Sequence, residues 1–402
     1  MNDRAMLGWV LLLCLALLSV DACAPRLSTP DIGPEQALIE VSPEQLPLEA
    51  DDLERKLLER AIRKSLLYYD RLPEETEFRF GPERVTLSRA RRSLETFLAL
   101  LIEKRTWQEI EEAVRERFIV FRSVGRNDEY EVLFTGYFEP TLLGSLTPDE
   151  NYRFPIYGVP DDLVKIDLGR FRDRYQGVRL VGRYEGKRVV PYYSREEIDS
   201  DGLLLGKGYE LVWVADPVER FFLQIQGSGR IRLLNNESFR INYAASNGWP
   251  YRSIGKLMID NNLIPKEAMS MQAIRRYLKK HPERIEEILN YNQSYVFFQV
   301  VDAGPMGSIS VSLTPGRSIA TDPRFFPRGA LAFIECAKPI FARDGVIMDW
   351  QPFRRYVLNQ DSGGAIRGPG RVDLYWGSGP YSRIAAGHLK HPGSLYFLVL
   401  KE

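Results

Sequence analysis

Cysteine is nearly missing from this chain. Three occur in 402 residues, and two of them, Cys14 and Cys23, lie in or just after an N-terminal apolar run. Once the chain is cut before Cys23 and that residue carries lipid, Cys336 is the one thiol left in the body, which excludes an internal disulfide. "LAFIEC" reads as a strand, which makes Cys336 a small buried hydrophobe rather than a nucleophile. Histidine is equally scarce, with three residues. His388 and His391 form an H-x-x-H pair with no third ligand nearby, in a stretch, "AAGHLKHPGS", that reads as a loop. A metal site has no support there. Charge of either sign is not in excess, with 54 Lys plus Arg against 54 Asp plus Glu. Neither a nucleic-acid surface nor an acidic solvating tail is indicated. No G-x-x-x-x-G-K-[ST] or Rossmann fingerprint appears, so no nucleotide cofactor is expected. "QGSG" and "WGSG" do not match the G-x-S-x-G nucleophile elbow. There is no tandem repeat of fixed period.

What is present begins with an address. "MNDRAMLGWVLLLCLALLSVDAC" has a short polar start, an apolar stretch of signal-peptide length and a terminal Cys. It is rather short for a spanning helix. Small or apolar residues before Cys23 make it the candidate lipidation site, although Asp21 stands where such signals carry a small uncharged residue. The body is then expected to be exported, with residues 24–45 and their prolines as a tether.

Helical period dominates from Asp51 to about Arg122. Leu53, Leu57, Ala61, Ile62 and Leu66 fall on one stripe, a second helix runs over about 87–104, and Thr106 with Glu109 forms a capping box for a third. After Val124 the texture becomes that of short strands and turns, as in "EYEVLFTGYFEP" and "YELVWVADPVERFFLQIQGSGRIRL". Helices return between 253 and 290, and from Ser294 onward strands dominate. The expected fold is mainly β, with helices gathered at the N-terminus, and the Gly/Pro-punctuated strands suggest barrels.

The chemistry left open is that of carboxylates, amides and aromatics in glycine-rich surroundings. Twenty Tyr, twenty Phe and six Trp supply flat faces that suit sugars as well as cores. A glycosidic oxygen is a poor leaving group and must be protonated as its bond breaks, usually by an Asp or Glu in apolar surroundings. In "GGAIRGPGRVDLYWGSG", Val372, Leu374 and Trp376 point to one face of a strand, and Arg371, Asp373 and Tyr375 to the other. Asp373 fits the acid; it could equally cap a turn or pair with Arg371 or Arg367. Asp361 in "LNQDSGGAI" and Asp322 in "SIATDPRFF" are turn-formers by default and could instead orient the acid or line a cleft. No second carboxylate stands at a fixed spacing, although ordinary glycosidases use two. A single acid would require the substrate to supply its own nucleophile.

At these residues the sequence resembles the membrane-bound lytic transglycosylase A family of bacterial cell-wall enzymes. "FTGYFEP", "FPIY", "LQIQGSGRI", "NGWPYRSIGKLMID", "MSMQAIRRY", "NQSYVFFQ", "GRSIATDPRFFPRGA" and "DSGGAIRGPGRVDLYWG" match in order. The resemblance implies a double-psi β-barrel domain with a smaller β-rich domain inserted in it and a glycan groove between them. The boundaries expected are 1–23 for the lipoprotein signal, 24–45 for the tether, 46–140 for helices and the first part of the barrel, 141–299 for the insert and 300–402 for the rest of the barrel. It implies cleavage of the β-1,4 bond between N-acetylmuramic acid and N-acetylglucosamine, with Asp373 as acid and then base and 1,6-anhydromuramoyl ends as product. No cofactor or metal is implied, and the partners are peptidoglycan strands, a membrane through the lipid anchor, and other cell-wall enzymes. The location implied is the periplasm, at the outer membrane.

Supporting residues are expected on two stretches. Period two puts Thr135, Tyr137 and Glu139 on one side of a strand facing the groove. Gln224, Gln226 and Ser228 share a similar pattern, with Gln226 and Gly227 offered to acetamido groups, and Tyr375 lies beside the acid. Two rival readings are a non-catalytic peptidoglycan-binding lipoprotein and a hydrolytic muramidase in which water is the acceptor.

Overall fold

The computed structural model describes residues 32–47, 51–104, 106–126, 129–342 and 346–402. The signal, Cys23 and the start of the expected tether, residues 24–31, lie outside the described residues. Residues 34–402 form one compact unit. No helix among the described residues is long and apolar enough to cross a membrane.

Six strands close into a barrel: β1 (Val132–Glu139), β2 (Ser318–Ala320), β3 (Leu331–Phe341), β4 (Ile347–Asp361), β5 (Arg371–Ser378) and β6 (Lys390–Leu400). The ring runs β6, β3, β4, β2, β5, β1 and returns to β6. Two of its pairings, β4 with β2 and β5 with β1, are parallel. Strand β6 divides its free edge. Its first residues pair with β1, which closes the ring, and its last residues pair with Phe118–Ser123. That strand in turn pairs with Leu38–Val41. The expected tether therefore ends early, because Leu38 is fully buried in this edge sheet.

Three helices cover the barrel: α1 (Arg55–Tyr69), α2 (Leu87–Glu103) and α3 (Trp107–Arg117). The buried stripe of α1 is Leu58, Ala61, Ile62, Ser65 and Tyr69, one position round from the expected one. The capping box of α3 is present: Glu109 N–H donates to Thr106 Oγ1 at 3.2 Å, and Thr106 N–H donates to Glu109 Oε2 at 2.9 Å. Phe97 of α2 packs on Tyr356 of β4 with ring centroids 4.7 Å apart, so helices and barrel share one core. Cys336 is buried there on β3 as expected, and burial pushes its thiol up to about 12.

Between β1 and β2 the chain builds a second six-stranded sheet from residues 141–301. Its outermost strands, Phe154–Tyr157 and Val296–Val301, meet through the single bridge Gly158↔Phe298. A separate three-stranded sheet, residues 164–191, stands beside it.

Candidate active site

One row of residues crosses the barrel. Asp361 at the end of β4 lies opposite Ala320 of β2, Ala320 opposite Asp373 of β5, Asp373 opposite Thr135 of β1, and Thr135 opposite Lys390 of β6. Adjacent strands are about 4.8 Å apart, so the two carboxyl-bearing residues stand roughly 10 Å apart at the backbone. The alternation read in the sequence holds. Val372 and Leu374 are fully buried and Trp376 nearly so, while Asp373 turns to the other face with its side chain 19% exposed.

Asp373 is held by one oxygen. The Thr135 hydroxyl donates to its Oδ1, and Arg371 Nε reaches the same atom at 3.4 Å. Arg371 Nη2 also donates to Thr135 Oγ1 at 3.0 Å, so the three side chains brace one another. Among the described residues Oδ2 has no hydrogen-bond partner.

Asp361 is held by both. Ser308 N–H and Ser362 N–H donate to Oδ1 at 2.9 and 2.8 Å, and the Tyr137 hydroxyl donates to Oδ2 at 2.9 Å. Burial raises this carboxyl to about 6, against the pull of those three donors and with a smaller push from the charge of Asp373. The Tyr137 phenol is itself driven up by burial and by Asp361, so it stays a donor. Its ring stands 5.2 Å from that of Tyr375, which is buried and likewise pushed up. Glycine is required between Thr135 and Tyr137: a Cβ at Gly136 would lie 2.7 Å from Trp376 Nε1 and 2.8 Å from Ala386 Cα.

Asp322 has a structural post. It is fully buried, accepts from Arg324 Nε and Nη2 at 3.1 and 2.7 Å, and accepts from Gly368 N–H at 2.9 Å. Burial raises its carboxyl, but the Arg324 and backbone donors outweigh that and leave it below the ordinary value. It ties the glycine loop before β5 to the end of β2.

Four expected groove residues are placed differently. Glu139 is buried and accepts from Arg240 Nε of the insert at 3.1 Å. Gln224 and Gln226 are not on a strand. They lie on α4 (Pro217–Gln226), capped by Asp216 at its start and by Gly227, at φ +75°, at its end. Ser228 then opens the next strand and is buried. Gln226 Oε1 accepts from Phe138 N–H of β1 at 2.9 Å, which ties the end of α4 to the barrel. His388 ends α5 (Pro380–His388) and His391 is the second residue of β6, so their stretch is helix and strand, not loop.

Sequence reasoning missed Ser308, whose amide supports Asp361, and Tyr251. The latter belongs to the insert and is 38% exposed, yet it lies in the electrostatic reach of Arg371 and Asp373; the desolvation of its phenol by the surrounding side chains pushes it up, and Asp373 adds to that. Asn242 of the insert accepts from Met306 N–H at 3.0 Å, which steadies the loop carrying Ser308. Among the described residues no three His, Cys, Asp or Glu side chains are grouped to hold a metal ion.

Two family models match the chain. Residues 133–299 match the family described as "MltA specific insert domain", and residues 317–399 the "3D domain". The chain is 31% identical to membrane-bound lytic murein transglycosylase A of Vibrio cholerae over 281 residues, 69% of this chain and 68% of that one. It is 31% identical to the Escherichia coli K12 protein of the same name over 277 residues, 68% and 67% of the two chains. Among solved structures it is similar to a membrane-bound lytic murein transglycosylase from Agrobacterium tumefaciens, with a TM-score of 0.75, 30% identity, and 90% and 98% of the two chains covered. It is also similar to E. coli MltA with bound chitohexaose, with a TM-score of 0.69, 25% identity, and 93% and 97% covered. A barrel with an inserted sheet, a braced carboxylate on its rim and matches over both parts lead to one assignment: the chain belongs to the membrane-bound lytic murein transglycosylase A family.

Proposed function

We propose that this protein is a lytic transglycosylase of peptidoglycan that cleaves the β-1,4 bond between N-acetylmuramic acid and N-acetylglucosamine, with Asp373 as its one acid and base. The observation that carries the reading is the asymmetry of Asp373. Oδ1 is fixed by Thr135 and Arg371, and Oδ2 is free at the barrel rim. A braced carboxyl with one open oxygen suits proton delivery to a glycosidic oxygen. As the C1–O bond breaks, Asp373 becomes a carboxylate. It then takes the proton from the muramoyl C6 hydroxyl while O6 bonds to C1, which closes a 1,6-anhydro ring. Atoms balance without water. The negative charge of Asp361, two strands away, stabilises the positive charge that develops at C1. Asp322 and Tyr375 shape the surroundings, and Thr135, Tyr137 and Tyr251 line the approach.

Asp361 has a competing claim, because it is the carboxyl that burial raises to about 6. Its two oxygens are already occupied by three donors, which argues for Asp373 as the group that reaches substrate. In a cell the protein works in the periplasm, held through a lipid on Cys23, at the outer membrane, with glycan strands as substrate and other cell-wall enzymes as neighbours.

The test is mass spectrometry of muropeptides released from purified sacculi by the chain starting at Ala24. Anhydro ends, lighter by one water than reducing ends, are expected. Reducing ends would make the protein a hydrolase, and binding without release would make it a peptidoglycan-binding protein.

A further inference from the structure

The three-stranded sheet beside the insert is turned the wrong way for a soluble surface. Its strands are Val164–Asp167, Arg179–Glu185 and Arg188–Pro191, with Arg179–Glu185 in the middle. Ile166 lies opposite Leu180, Val189 opposite Tyr184, and Val164 and Pro191 opposite Gly182. Directly opposed residues share a face, and alternate residues along a strand do too. One face is therefore built entirely of uncharged residues. The other holds the charges of the strands; its centre, Val181 and Arg183, lies against the protein, while Lys165, Arg179, Glu185 and Arg188 at its margins stay exposed. Val181 on that face packs with the aromatic cluster around Tyr157, Tyr192 and Phe297, and Arg183 lies 4.3 Å over the Tyr193 ring. An antiparallel sheet with one wet side normally shows water its polar face. Here Leu180, Tyr184 and Val189 are 51%, 67% and 45% exposed, and the loop joining the first two strands adds Phe171 at 71%.

The rim of this apolar face is cationic. Residues 164–191 carry eight Lys or Arg against three Asp or Glu, five positive charges in excess within a chain of zero formal net charge. Arg170, Arg172 and Arg174 stand exposed in the same loop as Phe171. A glycan would use the aromatic faces but gains little from Leu180 and Val189. An anionic bilayer uses both parts: aliphatic and aromatic side chains enter the boundary between headgroups and acyl chains, and the guanidinium groups pair with phosphates.

We propose that the sheet of residues 164–191 is a membrane-docking arm that seats its apolar face on an anionic phospholipid surface. The inference is independent of the catalytic assignment. It gives the body a second attachment point, which fixes the orientation of the barrel rim relative to the bilayer.

The experiment is vesicle flotation with the chain starting at Ala24, which lacks the N-terminal apolar run and keeps every described element. Vesicles of phosphatidylcholine alone are compared with vesicles containing phosphatidylglycerol. Binding to the anionic vesicles, weakened by salt, is expected. Two triple variants, Leu180→Ser/Tyr184→Ser/Val189→Ser and Arg170→Glu/Arg172→Glu/Arg174→Glu, should each lower the bound fraction about tenfold or more. Release of muropeptides from suspended sacculi should be unchanged in both. Failure of the unaltered chain to float with anionic vesicles would overturn the proposal, as would variants that float as well as it does. A dimer in lipid-free solution that the apolar variant dissolves would assign the face to a second copy. Loss of sacculus binding, with no vesicle binding at all, would assign it to glycan.

Discussion

The molecule contains two six-stranded sheets that close on themselves, and they do so with different strictness. The barrel closes through a ladder of four residue pairs between β1 and β6, while the insert sheet closes through one bridge. The barrel must hold Asp361, Asp373 and Thr135 in one row, and a slipped register would turn every one of them to the other face. The insert holds no such row. Its links to the site, Tyr251 and Asn242, come from one side chain each. Strict closure is found where geometry decides chemistry, and a looser sheet where it supplies a wall.

The comparison is broken most directly at the two carboxylates. Asp373→Asn should lower the rate of muropeptide release by about a thousandfold or more, within the usual range for a lost acid–base group. Asp361→Asn removes only a charge roughly 10 Å away. At an effective dielectric near 20 that is about 1.7 kcal/mol, or a factor of roughly twenty at pH 7. The smaller loss should fade below pH 6, where Asp361 is already protonated. Equal losses in the two variants, measured over pH 5 to 8, would reverse their roles.

Stability distinguishes the same two regions. Arg317 and Asp51 are fully buried behind β2 and pair through two contacts of 2.5 and 2.7 Å. Arg317→Met strands the Asp51 charge and should cost about 3–5 kcal/mol in urea denaturation. The pair joining barrel to insert, Arg240 with Glu139, is partly wet on the arginine side. Arg240→Met leaves the buried Glu139 without its partner at a site that water can reach from the arginine side, and should cost about 2 kcal/mol. A larger loss at Arg240 would mean that the insert, not the barrel, limits the stability of the whole.

Asp361 also sets a pH dependence of stability. Its folded carboxyl is raised above the ordinary 3.8 to about 6, so the native state holds the proton more tightly. That contribution is complete below pH 3.8 and is lost as pH rises through about 6. It amounts to roughly 3 kcal/mol. Asp361→Asn should flatten the fall in unfolding free energy between pH 4 and pH 7; an unchanged slope would mean that other groups carry it. The smallest effect concerns Cys336. With its thiol pushed up to about 12 inside the barrel core, alkylation at pH 8 in the chain starting at Ala24 should wait for unfolding.

These contrasts also mark how far the sequence could be read. The strand face of Asp373 was legible because a period-two pattern in a glycine-rich stretch has one strand reading, while its role as the acid came only with the family resemblance; the capping box at Thr106 was legible because it is a local signal. The Thr135–Asp373 contact was half legible: the face was evident, but register across strands far apart in sequence leaves no mark in either strand. Gln224 and Gln226 were misassigned because "FFLQIQ" alternates as well as it spirals. The signals that decide it lie outside that stretch, in Asp216 before Pro217 and in Gly227 after the helix. The inverted sheet at 164–191 was invisible, since alternation says which residues share a face and not which face meets water.

The row across the barrel has a further consequence for the order of events. Thr135 and Asp373 are 238 residues apart in the chain, and Lys390 lies beyond both. A chain that emerges from its N-terminus therefore presents β1 long before any strand exists to pair with it. The loop to be closed is long, and closing it is slow. Until β5 arrives, Asp373 and its brace of Thr135 and Arg371 do not exist together, and until β6 arrives the ring stays open. A lytic transglycosylase built on this row therefore gains its braced carboxylate only when nearly the whole chain has been made.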